Sequence, residues 1–163
     1  AATAGLGILG KNGMLITEKY SSYVFLGEII TDLPIKSVAG EIKRCEGCGK
    51  CKAACPMRKS GQCLSALTQK KGVLSDEEQK IILKHGYAWG CDICQDVCPH
   101  TKRAIFDGTV YTDIEFFKSG NLPVLSVRDI DNMSDEEFAT RAYSWRGRNT
   151  IRRNLELFEQ KDS

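Results

Sequence analysis

The sequence lacks any apolar run long enough to cross a membrane. A membrane-spanning helix needs about 20 consecutive, mostly apolar residues. Charged residues make up 27% of this chain and interrupt every stretch of that length, so we expect no membrane partner. A signal peptide is not visible either. Because the first residue is Ala1 and not Met, we expect a piece of a longer protein, whose missing start would hide such a signal.

A large excess of charge of one sign is also missing. The chain has 163 residues, with 23 Lys and Arg against 21 Asp and Glu, and the net charge of +2 implies no particular partner. The distribution is less even, since five arginines and no acid lie between Arg141 and Leu155. This length is enough for one good core or for two small modules.

Cysteine, by contrast, is abundant, and all eight cysteines lie between residues 45 and 98. They form a first group, a single residue and a second group: Cys45, Cys48, Cys51 and Cys55; Cys63; and Cys91, Cys94 and Cys98. Cysteines two residues apart rarely bridge each other, which disfavours a disulfide framework. Zinc suits C-x-x-C pairs, but it usually takes two pairs separated by a longer loop.

The spacing instead favours two [4Fe-4S] clusters. In the pattern C-x2-C-x2-C-x3-C-P, the first three thiolates bind one cluster and the fourth binds the other. Cys45, Cys48 and Cys51 then need one more ligand, which Cys98 can supply. Cys55 joins the remaining three cysteines, which are Cys63, Cys91 and Cys94. Two such clusters would pass single electrons, and they favour a reducing, cytoplasmic compartment.

A glycine motif near the N-terminus has a weaker meaning. Gly5, Gly7 and Gly10 spell G-x-G-x-x-G, and Glu28 follows about 20 residues later, as in dinucleotide-binding loops. Such a loop requires a strand before the glycines and a helix beginning among them. Only four residues precede this motif, and a short strand is predicted at residues 14–17, so we disfavour the dinucleotide interpretation. The glycines still indicate a close backbone approach.

The remaining pattern predicts a small α+β protein. Residues 14–17 and 22–30 are rich in β-branched or aromatic residues and are predicted to be strands. Capping-box patterns beginning at Ser75, Thr112 and Ser134 each predict a helix, with Gly86 and Gly120 ending the first two. A last helix is predicted over residues 149–160, with Ile151, Leu155 and Phe158 on one face.

Four stretches together resemble the epoxyqueuosine reductases, which are cobalamin- and iron–sulfur-dependent enzymes of tRNA modification. They are AGLGILGKNG, FLGEIITDLP, CEGCGKCKAACP and WGCDICQDVCPH, in this order, and the tail WRGRNTIRRNLEL is similar as well. The resemblance implies three segments: the end of a cobalamin-binding α/β domain at 1–40, a ferredoxin-like module with two [4Fe-4S] clusters at 41–104, and a helical segment at 105–163.

The resemblance also implies a reaction and its cofactors. Cobalamin, reduced through the two clusters, would convert epoxyqueuosine to queuosine at the tRNA wobble position. The general acid would be an aspartate that precedes the first residue here. Residues implied near the corrinoid are Lys11, Asn12, Leu26 and Ser65, although a tight turn explains the first two equally well. Ser65 could instead contact a cluster sulfur.

Positive side chains give candidate contacts with tRNA phosphates: Lys70, Lys71, Arg146, Arg148, Arg152 and Arg153. A solvated helix face is the alternative interpretation of the arginines. The expected partners are tRNA carrying epoxyqueuosine and an electron donor such as flavodoxin or ferredoxin, and the expected state is a monomer. The competing functions are a stand-alone ferredoxin-like electron carrier and the electron-input module of another corrinoid enzyme, such as a reductive dehalogenase.

Overall fold

The computed structural model describes residues 1–37, 39–118 and 120–159. The chain folds as two compact units. Unit 1 comprises Ala1–Cys55 and Ile93–Asp113, and unit 2 comprises Pro56–Asp92 and the chain from Ile114 onward. This division differs from the three consecutive segments expected from the sequence, because the chain leaves unit 1 after Cys55 and returns at Ile93.

Unit 1 begins with a hairpin of two short strands. Strand β1 (Ile8–Leu9) pairs antiparallel with β2 (Leu15–Ile16), with Ile8 opposite Ile16. The turn is closed by a bond of 2.8 Å from the Gly10 amide to the Met14 carbonyl. The strand predicted at 14–17 is therefore confirmed at its centre, and no helix begins among the glycines.

The second predicted strand, at residues 22–30, is wrong. The structure gives residues 22–30 no strand. Phe25 is 94% exposed and Ile30 is fully exposed. β-Branched and aromatic residues favour a strand only where a neighbouring strand and a buried face are available, and the described residues provide neither here.

Three helices complete unit 1: α1 (Lys50–Ala54), α4 (Ile93–Asp96) and α5 (Pro99–Phe106). Helices α1 and α4 pack together, and α4 leads into α5. Helix α5 begins with Pro99 in its first turn, directly after Cys98. Proline suits this position because its missing N–H would have no helical partner there.

Unit 2 consists of helices and connecting loops: α2 (Leu64–Thr68), α3 (Asp76–His85), α6 (Val127–Asn132), α7 (Asp135–Ala139) and α8 (Arg148–Glu159). Short 3₁₀ helices occur at Glu115–Phe117 and Ser144–Arg146. Its core lies mainly between α6, α7 and α8, and it contains Val127, Ile130, Met133, Phe138, Tyr143, Ile151 and Leu155.

The predicted helix signals have mixed outcomes. Ser75 forms the complete capping box of α3, and Gly86 ends that helix with φ 72°. Ser134 caps α7 by accepting a hydrogen bond from the Glu137 amide. The capping box predicted at Thr112 is wrong, since the chain forms only the 3₁₀ turn, preceded by Ile114 without a side-chain cap.

The predicted C-terminal helix is confirmed with shifted bounds, and residue 160 lies outside the described residues. Ile151 and Leu155 are buried as predicted, whereas Phe158 is half-buried. Among the described residues, no helix combines the length and the apolar character needed to span a membrane.

Candidate metal centre

Four of the eight cysteines line one cavity within unit 1. They are Cys45, Cys48, Cys51 and Cys98, the set that the spacing predicted for the first cluster. All four are thiols that form no disulfide. Thiolates are the ligands that iron–sulfur clusters require, so the donor set fits such a cluster.

Local backbone geometry brings these four residues to the cavity. The Leu9 carbonyl accepts a hydrogen bond of 3.1 Å from the Cys45 amide, so β1 holds Cys45 in place. Gly47 and Gly49 have φ of 71° and 79°, which lets the chain turn twice between three thiols. Cys98 directly precedes α5 and occupies its N-cap position.

Polar groups surround the same cavity. The backbone N–H of Lys11 donates to Cys45 Sγ at 3.3 Å, a bond that strengthens when the sulfur is an anion. His100 Nε2 lies 2.9 Å from Glu46 Oε2, which joins the segment after Cys45 to the start of α5. The pKa of the Glu46 carboxyl lies below its ordinary 4.5, because of hydrogen bonding from its own backbone amide and then from His100.

The described residues contain no group of three His, Cys, Asp or Glu side chains placed to hold a single metal ion. Cys45, Cys48, Cys51 and Cys98 lie around a common space instead of meeting at one point. A cube of iron and sulfide offers each thiolate its own corner, so this arrangement suits a cluster better than a single tetrahedral ion.

The N-terminal glycines serve the hairpin itself. A Cβ on Gly7 would collide with the Ile16 carbonyl oxygen and lie 2.9 Å from its carbonyl carbon. A Cβ on Gly10 would lie 2.5 Å from Asn12 Oδ1 and 3.0 Å from Ile16 Cδ1. The close approach that the motif predicted is therefore an approach to β2 and to the turn, and it needs no nucleotide.

Known proteins resemble this chain over most of its length. No family model matches the chain. An epoxyqueuosine reductase of Lactococcus garvieae is 37% identical over an alignment 169 positions long, which covers 95% of this chain and 46% of that protein. A crystal structure of a selenomethionine-labelled epoxyqueuosine reductase superposes with a TM-score of 0.73 at 34% identity, covering 97% of this chain and 44% of the other.

Over nearly its whole length, the chain is homologous to part of the epoxyqueuosine reductases. It spans less than half the length of the family members cited above. A further structure, of an epoxyqueuosine reductase with an epoxyqueuosine-modified tRNA-Tyr stem loop, superposes with a TM-score of 0.66 at 33% identity and covers 97% of this chain. The resemblance noted in the sequence is thus confirmed.

The other four cysteines are divided between the two units. Cys55 and Cys94 belong to unit 1, and Cys63 and Cys91 belong to unit 2. Cys63 is exposed and occupies the N-cap position of α2. Cys91 follows Gly90, whose φ is 71°. Their common role in a second cluster of the reductase stays a prediction of the spacing.

The four residues that the family resemblance implies for cobalamin are divided between the two units, and their contact with the corrinoid stays a prediction. The Lys11 amide faces Cys45, and Asn12 closes its own turn by accepting from the Met14 amide at 3.2 Å. Leu26 is exposed. Ser65 lies in unit 2, where its hydroxyl accepts a hydrogen bond of 2.9 Å from Gln69. A cavity of ≈ 800 Å³ in unit 1 is lined by none of them.

Three of the arginines expected at tRNA have partners inside unit 2. Arg148 pairs with Asp135 and donates to the Ile130 carbonyl. Arg152 pairs with Asp131 and with Glu156. Arg153 donates to the Gly72 carbonyl and to Asn154. These contacts give each arginine a structural role, and their contact with the tRNA stays a prediction.

The other three tRNA candidates line one groove of unit 2. Lys70, Lys71 and Arg146 lie there together, beside Cys63. Lys70 also pairs with Glu78 at 2.7 Å, while Arg146 stacks on the ring of Trp145 at 3.8 Å. Trp145 is 60% exposed. Positive groups beside an exposed aromatic ring are the combination that binds single-stranded RNA.

Unit 2 has a second positive groove, which was not predicted from the sequence. It is lined by Arg58, Lys59, Lys80 and Lys84, with Glu77 as its one acidic side chain among the described lining residues. Lys80 and Lys84 are one turn apart on α3, where like charges cost about 0.2–0.5 kcal/mol. Two features of the sequence could have predicted this groove: the i, i+4 spacing of the two lysines and the adjacent Arg58 and Lys59.

Proposed function

We propose that this chain is the electron-transferring part of an epoxyqueuosine reductase, which reduces epoxyqueuosine to queuosine in tRNA. The observation that carries the proposal is the convergence of Cys45, Cys48, Cys51 and Cys98 on one cavity, in a fold shared with epoxyqueuosine reductases. Since the chain spans less than half of those proteins, the reaction belongs to the whole protein.

The first cluster would be held by these four residues. When bound, [4Fe-4S] clusters supply single electrons at a potential that nearby hydrogen bonds adjust. The chain contributes the Lys11 amide, which donates to Cys45 and stabilises negative charge on the sulfur. The Glu46–His100 contact joins the segment after Cys45 to the start of α5, which Cys98 precedes. The second cluster would take Cys55, Cys63, Cys91 and Cys94, as the spacing predicts.

Cobalamin is implied by the family, and Lys11, Asn12, Leu26 and Ser65 remain the residues that the resemblance implies near it. The tRNA is the partner that the solved complex of a family member with a modified stem loop supports. The groove of Lys70, Lys71 and Arg146 is the surface we propose for its loop. A flavodoxin or ferredoxin as donor, a monomeric state and a cytoplasmic location complete the proposal.

The metal content is the first test. The chain, reconstituted without oxygen, should hold about eight iron and eight sulfide per molecule if both clusters form. A Cys48→Ser variant should lose about half of the iron. The control is Thr140→Ser, which changes a residue at the end of α7 outside the predicted ligand sets and should leave the content unchanged. Stoichiometric zinc without sulfide would refute the cluster assignment.

The reaction is tested in cells that make queuosine. Deleting the gene that encodes the whole protein should cause epoxyqueuosine to accumulate in tRNA nucleosides measured by mass spectrometry, and queuosine should disappear. Unchanged queuosine, with no second reductase gene present, would contradict the proposed substrate. The clusters would then serve plain electron transfer or another corrinoid reaction.

A further inference from the structure

A buried polar network in unit 2 connects two segments that carry predicted cluster ligands. Asn154 and Thr68 are both completely buried. Asn154 Nδ2 donates to the Thr68 carbonyl at 2.7 Å and to the Ala88 carbonyl at 2.8 Å. The Thr68 hydroxyl accepts from the Gly90 amide at 3.0 Å and donates to the Ser65 carbonyl at 2.9 Å.

The network is complete at both of its side chains. Two backbone carbonyls can only accept, so the orientation of the Asn154 amide is fixed, with both of its N–H groups used. Its Oδ1 accepts from Arg153 Nη2 at 2.8 Å. The Thr68 hydroxyl both donates and accepts. Buried polar groups that are fully paired rigidify their surroundings, because any displacement leaves an unpaired group in a low-dielectric interior.

The two segments so fixed lead directly to cysteines. Thr68 is the last residue of α2, and Cys63 is the N-cap of that helix. Ala88 and Gly90 immediately precede Cys91 in the chain. Between them, Trp89 packs against the core of unit 2, with its ring edge-on to Tyr143 at 6.1 Å. Helix α8 therefore fixes the approach to Cys91 relative to the helix that Cys63 begins.

We propose that Asn154 and Thr68 are positioning residues for the second iron–sulfur cluster, because they hold the backbone before Cys91 against helix α2. This inference rests on the proposed assignment of two clusters. Neither residue touches a ligand sulfur. They act through the backbone, as residues beyond the direct ligands of metal sites do, and changing such residues typically weakens metal binding about 10- to 100-fold.

The test compares two matched substitutions in the reconstituted full chain. Thr68→Val removes the hydroxyl that accepts from Gly90 and keeps the shape. Thr150→Val is the control, since Thr150 is also buried but its hydroxyl donates to the Arg146 carbonyl at 3.1 Å and takes no part in the network that holds the backbone before Cys91. The readouts are the electron paramagnetic resonance spectrum, the midpoint potential of each cluster and its rate of loss to a chelator.

Thr68→Val should lose one cluster about 10- to 100-fold faster than the wild type, or shift its potential, with the other cluster unchanged. The affected signal should be the one that Cys63→Ser also alters and Cys48→Ser does not. Thr68→Ser, which keeps the hydroxyl, should behave as the wild type. Equal cluster behaviour in Thr68→Val and Thr150→Val would overturn the inference and leave the cluster assignment standing.

Two further outcomes can be distinguished from equal behaviour of the two variants. A wild-type chain without iron and sulfide would refute the cluster assignment itself, and the inference with it. If Thr68→Val does not fold, amide exchange in the wild type decides the question. The Gly90 amide should be protected as strongly as amides of the unit 2 core, and exchange at the rate of an open loop would overturn the inference.

Discussion

Replacing Gly7 with alanine tests whether this glycine makes room for strand β2 or for a bound ligand. A Cβ at this position would collide with the Ile16 carbonyl oxygen and approach Thr17 Cα to 3.2 Å. All of these atoms are backbone, which cannot turn away as a side chain can. The Ile8–Ile16 pairing must therefore shift or break, and crowding of this kind costs about 1–3 kcal/mol.

The assay is denaturant unfolding of the cofactor-free chain, followed through a probe in unit 1. Gly7→Ala should lower its free energy of unfolding by about 1–3 kcal/mol. Gly27→Ala is the matched control, because a Cβ there meets nothing within 4 Å and the backbone is outside the left-handed region. That variant should be neutral or slightly more stable, since alanine restricts the unfolded chain.

The opposite pattern would refute the reasoning. If Gly7→Ala unfolds as the wild type does without cofactors but takes up cofactor poorly, the glycine makes room for a ligand and not for β2. The hairpin interpretation would then be wrong, and a contact between Gly7 and a bound ligand would be the better explanation.

Three other predictions follow from unit 2. A hydrogen bond from Lys70 holds the pKa of Glu78 below its ordinary 4.5. A hydrogen bond from Arg152 holds the pKa of Asp131 below its ordinary 3.8. These two ion pairs contribute their full stability when the pH is above the ordinary pKa values, and they lose it as the pH falls through the lowered pKa values. Denaturant unfolding should therefore show a falling free energy of unfolding from about pH 6 to pH 3. A rise on acidification would contradict this prediction. Changing both Lys80 and Lys84 to glutamine should make the plot of log binding constant against log salt concentration for tRNA less steep by about 1.4–1.8, if both lysines contact phosphates. An unchanged slope would show that neither lysine contacts the tRNA. Ile151→Ala should cost about 2–5 kcal/mol in thermal unfolding, because this side chain is fully buried, and a loss under about 1 kcal/mol would show that it packs loosely.

Two signals that are local in the chain were predicted correctly. The Ser75 capping box joins residues three apart, and α3 begins there. The period of α8 likewise depends only on neighbours along one helix. The cap at Ser126 follows the same rule and was missed, because its partner at the third position is Asp129 and not the more usual Glu or Gln.

Signals that depend on distant residues were not predictable. The segment at 22–30 has the composition of a strand, but pairing requires a neighbour that composition cannot reveal. The arginine-rich stretch looked unpaired because no acid lies between residues 141 and 155. Asp131 and Asp135, which come from α6 and α7, pair with Arg152 and Arg148 only after the chain folds.

The predicted cysteine ligands depend both on local signals and on residues far away in the sequence. Spacing suffices to group Cys45, Cys48 and Cys51, since a cluster needs its thiolates close along the chain. What holds them in place comes from elsewhere in the sequence. Leu9 pairs with the segment that leads into Cys45, although 36 residues separate them.

The same separation holds in unit 2, where the buried amide of Asn154 reaches the backbone at Thr68 and Ala88 from 86 and 66 residues away. A cysteine motif alone can therefore predict that a cluster binds. It cannot predict how firmly each cluster is held or at what potential it works, because on our proposal those properties would depend on the hairpin and on α8. Chains with identical cysteine spacing but different residues at these supports should differ in cluster stability.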